Sequence, residues 1–203
     1  MGFRDAPRLH VESREELRDW LAEHHATSDG VWLVRWRPAT GRPAPSYDDA
    51  IEEALGFGWI DGQSSPLDDE RSMLWLTRRR AGSGWSRLSK GRLARVEAAG
   101  RLTPAGARVV EAAKADGSWT RLDDVEALVV PPDLAAALAA LPGARAHWDA
   151  FRPGARKETL RWIVDARRPA TRAARVEETA RLAAQGTPAH QQVSPRPTTP
   201  SAG

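Results

Sequence analysis

At 203 residues, with 41% hydrophobic and 28% charged side chains, the sequence lies in the ordinary globular range and is long enough for one domain or two small lobes. Its 30 Lys and Arg stand against 27 Asp and Glu, so the formal net charge is only +3 and overall charge alone does not argue for a nucleic-acid partner. The absence of cysteine excludes disulfides and Cys-ligated zinc; no basic start leads into an apolar leader, and no run approaches the roughly 18 apolar residues of a membrane span, which predicts a soluble, cytoplasmic protein.

In chain order, Met1 to Val11 has no periodicity and reads as an edge segment. Ser13-Arg-Glu-Glu16 has the form of a capping box, and Leu17, Trp20, Leu21 and His24 follow on one helical face. After the turn cluster Thr27–Gly30, Val31 to Arg37 alternates, with Trp32, Val34 and Trp36 on one side, and reads as a strand. Pro38 to Pro45 is a loop. Ser46 and Asp49 form a second capping-box pattern ahead of Ala50, Ile51, Ala54 and Leu55, so a helix starts near Tyr47 and stops at Gly56 and Gly58. Trp59-Ile60-Asp61 begins a strand, Gly62 to Asp69 turns, and Met73 to Thr77 returns beside it. Arg78 to Arg80 end that strand, and Ser83 is the expected N-cap of a helix from Gly84 to Ala99.

The rest of the pattern is helical. Thr103-Pro104 opens a helix that Gly117 closes, and Trp119 to Val130 is less regular. Further helices are predicted after Pro131-Pro132, around Trp148 and Phe151, over Ala155 to Ala166 and over Thr171 to Ala184. The proline-rich end from Gly186 offers almost nothing to bury and is predicted to be disordered. The expected fold is α+β: a small, mainly antiparallel three-stranded sheet with packed helices, then a helical C-terminal half. The division is 1–11 edge segment, 12–102 α+β part, 103–185 helical part and 186–203 tail.

The segments AIEEALGFGWIDGQ, LDDERSMLWLTRRRAGSGWSRLSKGRLARVEAAGRLTPAG and ETLRWIVDARRPATRAARVEE resemble, in colinear order over Glu12 to Gln185, the bacterial YdeI/OmpD-associated (bacteriocin-protection) family. The resemblance implies a role in envelope stress or tolerance of antimicrobial peptides, and it brings no reaction, cofactor or catalytic residue with it. Thr77, Arg79, Arg80, Ser83, Trp85 and Ser86 agree with the family's arginine-to-tryptophan motif, whereas Trp75, Arg78, Ala81 and Gly84 depart from it. Gly56 stands where relatives have a cysteine, so a thiol role does not apply to this chain.

The candidate site combines Trp59, Asp61, Gln63, Arg79, Arg80, Trp85 and Ser86. A carboxylate following two large apolar residues needs a partner if buried, and Arg79 or Arg80 offers a bidentate one. That pair is open to three readings: a structural ion pair, a ligand contact, or a general base with arginines stabilising developing negative charge. A tryptophan beside arginine either packs in the core or presents a stacking face, with a cation–π contact worth roughly 0.5 to 2 kcal/mol. The leading expectation is a non-enzymatic protein that binds a small molecule or peptide and has a protective role; the alternatives are an enzyme using Asp61 and a nucleic-acid binder. The last would use the helices between Arg156 and Arg181, where Arg156, Lys157, Arg161, Arg167, Arg168, Arg172, Arg175 and Arg181 outnumber Glu158, Asp165, Glu177 and Glu178; a solvated face is the plainer account. No cofactor and no metal are expected, because the five histidines are scattered and the adjacent His24 and His25 point about 100° apart on a helix. Oligomeric state is not legible.

Overall fold

The computed structural model describes residues 6–190, and the chain divides into two compact units at Arg121/Leu122. The first holds strands β1 (Arg8–His10), β2 (Gly30–Trp36), β3 (Trp59–Pro66) and β4 (Arg71–Arg78), with helices α1 (Arg14–His24), α2 (Tyr47–Gly56), α3 (Arg87–Ala98) and α4 (Pro104–Ala115). The strands lie in the order β1-β2-β4-β3. The sheet therefore has four strands and is mixed, which corrects the expected three-stranded, mainly antiparallel sheet: β1 adds an edge strand parallel to β2, with Leu9 opposite Leu33. A parallel neighbour needs a crossover connection, and α1 supplies it, so β1-α1-β2 is a short βαβ unit. Of the expected N-terminal edge segment, residues 1–5 lie outside the described residues.

Local chemistry explains most element boundaries. Ser13 caps α1 by accepting the Glu16 N–H; Ser46 and Asp49 form a reciprocal capping box on α2; Thr103 caps α4 just before a proline. The β3–β4 turn is shorter than the sequence suggested, because β3 runs on to Pro66 past an irregularity between Asp61 and Ser64. Helix α3 also begins later than expected. Its N-cap is Ser86, which accepts the Ser89 N–H, while Ser83 closes a turn onto the Arg80 carbonyl. The intervening chain stays out of the helix because Trp85 N–H bonds the Ser118 carbonyl and Arg79 bonds the Gly84 carbonyl.

Register places Val31, Leu33, Leu74 and Leu76 on one sheet face, together with Trp59 and Asp61 of β3. The apolar members of this face form one buried core with Leu17, Leu21, Ile51, Leu55 and Leu93 from the helices and Trp85 from the chain before α3. Between α2 and α4 the packing is closer than side chains permit: a Cβ on Gly106 would lie 2.4 Å from the Gly56 carbonyl oxygen, which also accepts from Thr103. A charged cluster ties α1 to α2 and to the chain after α3. Glu53, whose side chain is fully buried, accepts from Arg14 at 2.6 Å, Arg18 at 2.9 Å and Arg101 at 2.5 Å.

The second unit is helical: α5 (Asp123–Glu126), α6 (Pro132–Ala139), α7 (Ala144–Ala150), α8 (Pro153–Val164) and α9 (Pro169–Ala184). Leu134, Leu138, Trp148, Leu160, Ile163 and Val176 are among the buried side chains of its separate core. Residues 186–190 continue onto this unit, with Ala189 buried and its carbonyl accepting from Thr159 at 2.7 Å. The remainder of the expected tail, 191–203, lies outside the described residues. Among the described residues no helix is long and apolar enough to cross a membrane.

Candidate functional site

The seven candidate residues fall into two groups. Trp59 opens β3 and is core: it is 1% exposed, its Nε1 donates to the His25 carbonyl at 3.2 Å, and its ring meets Trp20 edge-on at 5.9 Å. Asp61, two residues on and on the same helix-covered face, accepts from the Tyr47 hydroxyl at 2.6 Å. Its partner is thus the first residue of α2, not Arg79 or Arg80. Two guanidiniums approach the Tyr47 ring, Arg35 at 5.9 Å and Arg92 at 5.6 Å from its centroid, and Arg92 binds Asp48. Burial, the hydrogen bond to Asp61 and the negative charge of Asp61 push the Tyr47 hydroxyl up to about 12, against the opposing pull of the two arginines. Gln63 sits exposed in the irregular stretch of β3.

Arg79, Arg80 and Trp85 form the second group. Arg79 N–H extends the β3–β4 pairing by bonding the Gly58 carbonyl at 3.0 Å, which turns its side chain inward to 8% exposure. The guanidinium lies 3.9 Å from the centroid of the Trp85 ring and donates to the Gly84 carbonyl at 2.6 Å. Carbonyl hydrogen bonding and the ring face together offset part of the cost of removing this charge from water. Trp85 in turn packs on Trp119 at 5.0 Å. Ser86 is an N-cap and bonds within its own helix.

Around this second group lies a notch of about 110 Å³, walled by Arg79, Arg80, Ser83 and Trp85 on one side and by Asp116 and Ser118 beyond α4 on the other. Asp116 accepts from the N–H groups of Gly82 at 3.1 Å and Ser118 at 2.8 Å. Hydrogen bonding from Ser118, foremost, and from Gly82 holds its carboxyl below the ordinary aspartate range. Trp85 is 1% exposed, and no acceptor reaches its Nε1 among the described residues. A buried indole N–H without an acceptor is uncommon, since most buried polar atoms are hydrogen-bonded. Chemically the notch offers donors and one carboxylate.

Sequence reasoning missed Asp116 and Ser118, more than thirty residues downstream of Arg79, where the Asp-Gly pair signalled only a helix end. The departing position Trp75 lies away from the notch, close against Gly30 and Gly62, where an added Cβ would meet its ring at 2.3 and 2.9 Å. At Gly56 a Cβ would come within 2.9 Å of the Arg101 carbonyl oxygen, so this backbone leaves no room for the cysteine of the resembled family.

The basic helices of the second unit are partly neutralised from within. Lys157 pairs with Glu126, Arg161 approaches Asp165 at 3.8 Å, Arg172 grips Asp133, and Arg175 donates to the Trp162 carbonyl. No group of three His, Asp or Glu among the described residues is arranged to hold a metal.

Residues 9–109 match the model of a domain of unknown function (DUF8412), and residues 127–186 match the bacteriocin-protection, YdeI or OmpD-associated model. The family likeness read over Glu12 to Gln185 is thereby located in the second unit, while the stretch carrying the notch falls largely under the other model. No curated protein and no solved structure matches the chain. Over residues 127–186, the chain is similar to the bacteriocin-protection, YdeI or OmpD-associated family that its sequence resembles.

Proposed function

We propose that this protein binds a small molecule or the exposed end of a peptide without transforming it, and that the bound group is a hydrogen-bond acceptor such as a carboxylate or amide carbonyl. The observation that carries this reading is Trp85, whose buried Nε1 has no acceptor among the described residues and which lines a notch together with Arg79, Arg80 and Ser83. An oxygen that reaches this N–H removes the cost of an unsatisfied buried donor, on the order of 1 to 3 kcal/mol. The notch suits one functional group of a ligand rather than a whole metabolite, so the remainder of the ligand stays outside it. Asp61 is engaged by Tyr47 and does not line this notch, and the notch carboxylate of Asp116 is already held by the Gly82 and Ser118 N–H groups, which favours sequestration over general-base chemistry. A protective role follows the description of the domain in the second unit, where binding without turnover is one way of tolerating a harmful compound.

The test is a thermal-shift titration of the full chain with acetate, benzoate, N-acetylglycine and antimicrobial peptides, since a ligand that prefers the native state raises the midpoint by mass action. Trp85→Phe keeps a ring under Arg79 and removes the N–H; it should weaken binding about tenfold, or roughly 1.4 kcal/mol. Equal binding by wild type and W85F overturns the assignment, and conversion of a bound compound overturns the non-enzymatic reading.

A further inference from the structure

The second unit contains a groove unrelated to the notch. It runs between α6 and α9, encloses about 580 Å³, and has Ala137, Ala173, Val176 and Ala180 in its walls, with Leu141 on the rim at 36% exposure. Two helices that meet through alanine leave space which larger side chains would fill, and the volume falls in the range of roughly 300 to 1,000 Å³ that holds small organic ligands.

The charges along the groove decide what kind of ligand fits. Asp133 and Arg172 satisfy each other through two parallel hydrogen bonds of 2.8 and 3.0 Å. Glu177 and Arg181 are spaced i, i+4 on α9, the arrangement that ordinarily pairs on a helix, yet both are exposed and neither has an ion-pair partner among the described residues. The groove thus combines an apolar interior with one negative and one positive charge, exposed and not ion-paired among the described residues, a single helical turn apart. A purely apolar ligand leaves both unused, and a singly charged one meets only one of them.

We infer that this groove binds a small zwitterionic amphiphile: an apolar chain along the alanine-lined walls, with an ammonium group at Glu177 and a carboxylate at Arg181. The site lies in a different unit from the notch and goes beyond the proposed acceptor binding.

The experiment follows backbone amide shifts of the full chain on titration with 2-aminooctanoate, octanoate, octylamine and 1-octanol. 2-Aminooctanoate should shift the α6 and α9 amides and bind about tenfold more tightly than each of the other three. Glu177→Gln and Arg181→Gln should each abolish that preference while leaving 1-octanol binding unchanged. Ala173→Leu, at an exposed helical position, should fill the groove and remove binding of all four; Ala140→Leu serves if A173L does not fold. No shift at these helices up to about 10 mM, where even weak ligands register, overturns the inference. Equal affinity for all four probes, or full binding by a folded groove-filling variant, overturns it as well. Since W85F leaves the groove intact, loss of one site and survival of the other separates this inference from the notch reading.

Discussion

Glu53 is the side chain whose removal should most disturb the first unit. Its carboxylate is fully buried and accepts from Arg14, Arg18 and Arg101, which reach it from α1 and from the chain after α3. Arg14 also contacts Asp49 and Glu52, but the Arg101 guanidinium has Glu53 as its ion-pair partner and a further nitrogen that is buried without an acceptor. Glu53→Gln keeps the volume and one oxygen yet strands Arg18 and Arg101 and takes one of three partners from Arg14, and breaking a buried pair in this way costs about 3 to 5 kcal/mol. For a unit of this size the lower figure corresponds to a fall in Tm of about 10 °C, measurable by circular dichroism or calorimetry. Coupling should be visible in a double-mutant cycle: in an Arg101→Gln background, E53Q should cost at least about 1 kcal/mol less than in the wild type. The pH dependence has a defined sign. Burial pushes the Glu53 carboxyl up, but hydrogen bonds from Arg101, Arg14 and Arg18 outweigh it and hold the group below its ordinary value near 4.5. The folded state therefore binds fewer protons than the unfolded one just below that value; the stabilisation is complete above it and is lost as pH falls through the folded pKa. E53Q should flatten the acid limb of the stability curve. A variant within about 0.5 kcal/mol of wild type, with the same acid limb, refutes this account of what joins the helices.

The chain has a single tyrosine, so ultraviolet titration reports Tyr47 alone; its midpoint should lie near 12 and move down in Asp61→Asn, whereas a midpoint near 10 in the wild type contradicts the Tyr47–Asp61 contact. Because the folded state holds that proton more firmly, stability should fall as pH rises from about 10 towards 12. Gly106→Ala would ordinarily stabilise a helix by roughly 0.5 to 1 kcal/mol. Here the new Cβ meets the Gly56 carbonyl, and a net loss of about 1 to 3 kcal/mol in urea unfolding is expected; stabilisation would mean that α2 and α4 do not pack this closely.

Side chains that bond to nearby backbone were legible in the sequence. Ser13, Ser46 and Thr103 announced three helix starts, and alternation marked β2 and much of the β3–β4 pair. Contacts between distant segments were not. Arg8–His10 is too short to show a period, and its parallel pairing depends on α1 returning the chain beside it. Arg79 or Arg80 was the partner offered for a buried Asp61 because the arginines lie nearby in sequence, but the pleat puts Asp61 on the face that meets α2, where Tyr47 waits. Glu53 sits among Asp48, Asp49 and Glu52 and reads as one more solvated acid; only the approach of three arginines from elsewhere makes it a buried hub. The Arg79–Trp85 contact was foreseeable from spacing, whereas Asp116 and the alanine-lined groove of α6 and α9 come from helices whose own patterns indicate packing alone.

The notch is tested most directly at the Trp85 indole N–H. Each of the nine tryptophans gives its own indole proton–nitrogen correlation, and W85F identifies the Trp85 signal by its loss. Titration of the wild type with N-acetylglycine should move that signal downfield in a saturable way, as its unmet donor acquires an acceptor, while the core indole of Trp59, already bonded to His25, stays in place. A Trp85 signal that does not move under titration with acetate, benzoate or N-acetylglycine would contradict the assignment of this notch as an acceptor-binding site.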